Sequence, residues 1–550
     1  MGLKDPTYIP NQTDRAADQT EALPGGGNAT TARRAPGQRV LTAKEREQRQ
    51  MALGPTVPEK KEAMCQCSKV IHYAVFFDGT GNNRDAEMAK AKERRALSNI
   101  AKLFDAHKRN DGQINRVYIP GVGTPYPDIG DTGGTAGMAI GKGADKRIRK
   151  ALELLDDEIA KVPAQQKIRL INITVFGFSR GAAEARAFVR DLAALCREKG
   201  GAWEYKGLPL RVAFAGLFDT VCSAYGAFTS AALSLNGGHN NWAEDMKLPP
   251  MVEQTVHMIA AHEARRRFPL DSTRIDAEYP DNTIEIWYPG VHSDVGGGYA
   301  PLEQGRENTI SRFALNHMYD VAFAAGVLFE RIADLPGRVQ DEFNKDDANL
   351  REAFNAYIDA VPRKTGAMEE VLAAHMRVLH RWLKERVAGA GETASKARLE
   401  QVRDEAKKKA KAARKQQAAV LAENSHGFDM EAPAFSPEEE ERFEKAANER
   451  RTANEQYDEA QDALKDLAQE ERKYLWDVQE IYLREARGQK LSLRERTIKE
   501  AWEDTAPLPE PVKRFFDLFA HDSIAHFNFD SSRLSDWRTV YFGASKFKPN

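Results

Sequence analysis

The sequence predicts an α/β protein: a mostly parallel sheet with helices on both faces, joined to a large charged helical insertion that contains a long helical hairpin. Three observations carry this. Short apolar runs alternate with helix-forming stretches from residue 69 to about 330. One alternation places Gly177-Phe178-Ser179-Arg180-Gly181 between a strand and a helix. Past residue 330 the chain turns to charged helix.

Residues 1–65 are rich in Pro, Gly, Thr, Arg and Ala with little hydrophobic periodicity, and read as a flexible N-terminal arm. Residues 66–330 read as the core. Residues 70–77 make a strand that ends in Asp78-Gly79-Thr80-Gly81-Asn82-Asn83, and 88–107 a helical stretch. Next come a short strand over 116–120, a glycine-rich loop, and a helix over 146–161. A strand over 167–176 and a helix over 182–196 flank the Gly-x-Ser-x-Gly segment. Further strands occupy 208–218 and 283–288.

In the glycine-rich loop, Gly141-Lys142 resembles the end of a phosphate loop. Ala136 stands where the first glycine belongs, however, and Gly143 replaces the Ser or Thr that would hold magnesium. The loop reads as a pocket rim.

Residues 331–505 form the helical insertion. Ser436-Pro437-Glu438-Glu439 combines an N-cap, a first-turn proline and a capping box. The helix it opens is expected to run to Gly488, roughly 75 Å at about 1.5 Å per residue. An apolar three-four repeat from Phe443 to Ile481, interrupted by Arg450 and Glu471, needs a partner helix, and 394–422 is the expected antiparallel mate. Lys407 to Lys415 contains six basic residues and no acid, either a solvated face or a contact for anionic headgroups. Residues 506–550 read as a C-terminal segment returning to the core.

Eighty basic and eighty-two acidic residues leave a formal charge of -2, which argues against a nucleic-acid partner. Four cysteines, Cys65, Cys67, Cys196 and Cys222, suit neither a disulfide framework nor a structural zinc site. The first residues hold no apolar signal region, and no apolar run is long enough to cross a bilayer. The expectation is a protein made in the cytoplasm without a signal peptide.

The strand–Gly-x-Ser-x-Gly–helix order is the setting of a nucleophile elbow, a strained turn that lifts a serine hydroxyl out of a sheet. Its plain alternative is an ordinary Gly-Ser turn. Serine is a poor nucleophile at its free pKa, so Ser179 needs a base and a group to orient that base. The chain order Ser, acid, His found in α/β-hydrolases directs the search downstream. Asp219 ends the strand after the elbow helix and is the candidate acid, with Asp294 its rival. His292, just past strand 283–288, is the candidate base ahead of His239 and His521. Asp294 would more naturally brace the loop. His317, His375 and His380 lie on helices and read as structural. The oxyanion needs two donors: the backbone N–H of Arg180, and one from Gly79 or Thr80. Asp78 reads as the acceptor of a tight turn. No ligand-spaced cluster accompanies it, so neither a metal nor a cofactor is expected.

Assembled in order, Phe77 to Asn83, Pro120 to Thr124, Gly177 to Ala183, Gly216 to Val221 and His292 to Tyr299 resemble the α/β-hydrolases that include the first, Tle1-like family of type VI secretion lipase effectors. The resemblance covers roughly 70–330, and 509–543 also fits. It implies a phospholipase with Ser179 as nucleophile, Asp219 as acid and His292 as base. It further implies delivery by a contractile apparatus into the periplasm of a neighbouring bacterium, a secretion spike protein as carrier, and a cognate immunity protein in the producer. Membrane phospholipid would be the substrate.

Residues 331–505 map onto no family motif and stay open as lid, membrane-docking element or partner-docking surface. Residues 220–234, with Tyr225 and Phe228, read either as a second lid or as pocket wall. Two rival functions remain: a catalytically silent hydrolase-fold adaptor that binds a secretion spike, and an esterase for small soluble esters.

Overall fold

The computed structural model describes residues 2–4, 6–8, 35–54, 68–110, 113–134, 143–222, 241–243, 245–275, 278–364, 366–389, 393–423, 435–525, 532–542 and 545–547. Its strands are β1 (Thr7–Tyr8), β2 (Ser68–Phe77), β3 (Ile114–Ile119), β4 (Lys167–Phe178), β5 (Cys196–Glu198), β6 (Trp203–Tyr205), β7 (Leu208–Phe218), β8 (Thr255–Ala260), β9 (Leu270–Ser272), β10 (Thr283–Tyr288), β11 (Val540–Phe542) and β12 (Ser545–Phe547).

The central sheet runs β1-β10-β8-β7-β4-β2-β3, with β5 and β6 attached beside β7. From β3 to β10 every neighbouring pair is parallel, and β1 closes one edge antiparallel. Because β2 sends its next strand to one side and β4 lies on the other, strand order reverses between β2 and β4. In an open parallel sheet that reversal leaves a crevice at the carboxyl ends, where ligands bind.

Each central strand feeds two cores. In β2, Ala74 and Phe76 face one side while Tyr73, Val75 and Phe77 face the other. In β4, Phe176 and Phe178 alternate in the same way with Ile173 and Val175. Phe76 stacks on Phe176 with centroids 5.0 Å apart. Helices Ala144–Ala160 and Arg180–Ala194 cover one face; Asn99–Ala106 and Ser311–Ala324 cover the other.

Several elements differ from the expectations. The helix expected over 88–107 is broken: Arg84–Met88 starts on Asn83, whose Oδ1 caps Asp85 and Ala86, and Asn99–Ala106 starts anew on Ser98. Strand β8 fills a place where the sequence reading has none. Part of the stretch read as an arm is built into the fold: Thr42 opens helix Ala43–Leu53 with a capping box, Arg39 pairs with Glu45, and β1 joins the sheet.

In the insertion, helix Pro437–Ala486 has the expected capping box and spans 50 residues. Ala394–Glu423 is its mate. The pair is antiparallel, since Arg442 meets Glu423 while Arg450 meets Gln417. Leu399, Ala406, Ala413 and Val420 are buried at seven-residue intervals on one helix, opposite Ala446, Ala453 and Ala460 on the other. The two interruptions of the repeat each meet a polar partner: Arg450 bonds to Gln417, and Glu471 is ion-paired with Arg386 at 2.9 Å. The insertion and the C-terminal segment share the core of the sheet domain. Phe354 packs edge-on against Phe313 at 5.0 Å, and Tyr357 packs on Phe515 at 4.7 Å. Among the described residues no helix is long and apolar enough to cross a membrane.

Candidate active site

Ser179 sits between β4 and helix Arg180–Ala194 with φ 58° and ψ −126°, a conformation that L-residues avoid. The two glycines make the turn possible. A Cβ on Gly177 would lie 2.4 Å from the Gly181 carbonyl oxygen, and one on Gly181 would lie 2.3 Å from that of Asp78. The elbow is thus wedged against the end of β2 on one side. On the other it is tied to β7, because Ser179 N–H donates to Phe218 O and Val221 N–H to Ser179 O.

Asp219 follows β7, its φ also positive at 41°, and is fully buried. Its Oδ2 is 2.6 Å from His292 Nδ1, and its Oδ1 accepts from Ala260 N–H at the end of β8. Arg538 contacts both oxygens, Nη1 to Oδ2 at 2.7 Å and Nη2 to Oδ1 at 2.6 Å. Burial alone would raise this carboxyl; the Arg538 charge and the His292 hydrogen bond instead hold it well below the ordinary carboxylate range. An ionised carboxylate has no proton to give, so Nδ1 of His292 carries one and Nε2 is left as the basic nitrogen.

The His292 ring lies between Phe178 (4.6 Å) and Phe268 (5.0 Å). Phe178 directly precedes Ser179, which brings the imidazole to the elbow. Ser179 and His292 are not hydrogen-bonded to each other. Burial lowers the His292 pKa, Asp219 raises it, and the net shift is downward. Behind the ring, Glu263 accepts from His292 N–H and pairs with Arg265.

The loop after β2 is braced by Asp78, which accepts from Ser98 and Tyr118 hydroxyls and from Gly79 N–H. Burial pushes its carboxyl up to about 6, against these hydrogen bonds. The expected oxyanion donor Gly79 is therefore committed to Asp78 at 2.7 Å. A turn whose aspartate caps its own following amide uses up that donor. Thr80 remains. Its N–H makes no hydrogen bond among the described residues, and its Oγ1 accepts from Arg180 Nε at 2.6 Å.

Asp294 and His521 are brought together with each other rather than with Ser179: His521 Nδ1 is 2.6 Å from Asp294 Oδ1, and Asp294 Oδ2 accepts from Val291 and His521 N–H. His317, His375 and His380 bond to Tyr288, Tyr357 and Tyr474. His239 lies outside the described residues, as do 223–234 of the lid candidate and Gly141-Lys142. Among the described residues no cluster could hold a metal ion. Sequence reasoning missed Arg538, Glu263 and Phe268. No local pattern marks an arginine that meets its carboxylate across 319 positions.

Residues 72–204 and 197–321 match a family model described as the catalytic domain of Tle1-like phospholipase effectors of the type VI secretion system. Among solved structures, one of an uncharacterized protein from Pseudomonas aeruginosa is 24% identical, with TM-score 0.64, covering 88% of this chain and 81% of that one. The likeness shows a shared fold. Another, of the Tle1 effector bound to the VgrG spike, is 19% identical with TM-score 0.37, covering 53% of this chain and 80% of that one. No curated protein matches the sequence.

Proposed function

We infer that this chain, which carries a Tle1-like type VI secretion phospholipase-effector catalytic domain over residues 72–321, is a serine carboxylic-ester hydrolase of α/β-hydrolase type that cleaves acyl esters of membrane glycerophospholipids. The observation that supports the reading is the strained turn at Ser179 together with the hydrogen-bonded His292–Asp219 pair, whose imidazole packs on Phe178, the residue before Ser179.

In the proposed reaction Ser179 Oγ attacks the ester carbonyl while His292 Nε2 takes its proton. The tetrahedral oxyanion accepts from the backbone N–H groups of Arg180 and Thr80. His292 then returns the proton to the departing lysophospholipid oxygen, and water releases the fatty acid by the same steps in reverse. Asp219 holds the imidazolium that forms in each half. The Ser179–His292 hydrogen bond that this reaction requires is expected to form in the complex with substrate.

The family further supports delivery by the type VI apparatus on a spike protein, action in the periplasm or at the membrane of a target cell, and an immunity protein in the producer. The test is fatty-acid release from mixed phospholipid vesicles and from a short-chain nitrophenyl ester. A phospholipase prefers vesicles; a small-ester esterase shows no such preference; an adaptor releases nothing from either.

A further inference from the structure

Arg538 lies just ahead of β11, which pairs in parallel with β9 and so seats the C-terminal segment against the sheet domain. Its side chain is 3% exposed. Besides gripping both Asp219 oxygens it donates to Ala260 O at 3.0 Å, while Ala260 N–H donates back to Asp219 Oδ1. Each carboxylate oxygen therefore accepts two hydrogen bonds: Oδ1 from Ala260 and Arg538, Oδ2 from His292 and Arg538.

This arrangement solves two problems that burial creates. A carboxyl with no solvent exposure favours its neutral form, and a neutral acid is a weak partner for an imidazolium. The guanidinium charge keeps it ionised. A carboxylate can also rotate about its Cβ–Cγ bond and lose its aim. The planar fork of Arg538 engages both oxygens at once and fixes that plane, which a lysine's single ammonium does less well.

Resting on the serine-hydrolase reading above, we propose that Arg538 is a positioning residue for the hydrolysis: it holds the Asp219 carboxylate ionised and aimed at His292, so that seating of the C-terminal segment is a condition of activity. The rival is a plain clamp, in which the same bonds only fasten the segment to the core.

The test compares the full-length chain with Arg538→Lys and Arg538→Gln. The readouts are the low-field proton resonance of the His292–Asp219 hydrogen bond in 15N-histidine-labelled protein, covalent labelling of Ser179 by a fluorophosphonate probe, fatty-acid release from vesicles, and thermal melting. Arg538→Gln is expected to shift or lose the resonance and to slow labelling about 10- to 100-fold, short of the roughly 10⁴-fold known for disabling a triad acid. The loss falls on kcat with KM nearly unchanged, and Arg538→Lys recovers part of it. An Arg538→Gln protein that melts earlier yet keeps the resonance and the wild-type labelling rate overturns the proposal. If Arg538→Gln does not fold, the lysine variant decides: unchanged resonance and labelling with both oxygens no longer bridged would equally overturn it. Should wild type label normally but release no fatty acid, the lipid substrate is wrong and the Arg538 inference stands. Should wild type fail to label, the serine-hydrolase reading fails, and the resonance still reports whether Arg538 holds Asp219.

Discussion

Asp294, two residues after His292, makes with His521 the contact that Asp219 makes with His292: in both pairs Nδ1 lies 2.6 Å from a carboxylate oxygen. Their settings separate them. His521 stacks flat on Tyr299 at 3.9 Å, and Asp294 also accepts from two backbone amides, so this pair fastens the C-terminal segment to the His292 loop.

Asp219→Asn is accordingly expected to lower turnover per folded molecule by about 10³- to 10⁴-fold. It also costs stability, because Arg538 is left buried without its counter-charge. Asp294→Asn should lower the melting temperature while turnover per folded molecule stays within about tenfold, since it orients no reacting group. Thermal melts paired with ester turnover check both, and the reverse ranking would exchange the two roles.

Thr80 ties together the two proposed oxyanion donors, because its hydroxyl accepts from Arg180 Nε. Thr80→Val keeps the shape and removes this acceptor of the Arg180 guanidinium, loosening the hold on the first residue of the elbow helix. The expected outcome is a kcat about tenfold lower with KM little changed, less than the roughly 10²- to 10³-fold that outright loss of an oxyanion donor costs. Thr80→Ser should be close to wild type. Steady-state kinetics on the nitrophenyl ester distinguish the three proteins.

Burial holds the His292 pKa below its ordinary value despite Asp219. The neutral imidazole is the active form, so a lowered pKa extends activity downward, and the acid limb of kcat/KM should fall below about 6.5. Asp78, pushed up to about 6, titrates in the same window. The limb that persists in Asp78→Asn therefore belongs to His292. A limb above 6.5 in that variant would contradict the environment described for the ring.

Glu184, on the elbow helix, is fully buried with no hydrogen bond to either oxygen among the described residues, and burial pushes its carboxyl up to about 8 against the attraction of Arg147 and Arg180. The unfolded chain ionises it near 4.3, so stability is complete below that value and falls as pH rises toward the folded one, by about 1.4 kcal/mol per pH unit. Glu184→Gln should melt like wild type near pH 4 and progressively higher than wild type toward pH 8. Parallel melting curves across that range would refute the assignment.

Much of the sheet edge was legible because its signals are local. Gly177 and Gly181 mark the elbow, β7 and β10 keep their expected bounds, and Ser436-Pro437 opens the long helix where the capping rules put it. What stayed hidden depends on distance in sequence or on competition for hydrogen bonds. Strand β8 carries His257, a polar residue in its middle whose buried ring meets Glu285 on β10 at 2.9 Å and accepts from Thr220 N–H at 3.0 Å. Gly79 has the sequence setting of an oxyanion donor, yet its amide serves Asp78. Arg538 has no periodic or motif neighbour, and its role exists only once the chain returns to β9.

Whether Ser179 is the nucleophile of a phospholipid hydrolase is decided by mass spectrometry of products from vesicles of a phospholipid with different chains at its two positions, for wild type and Ser179→Ala. Wild type is expected to give a free fatty acid and a lysophospholipid and Ser179→Ala neither, with the melting temperature of the variant close to that of wild type. Undiminished fatty-acid release from folded Ser179→Ala would contradict the assignment of Ser179 as nucleophile.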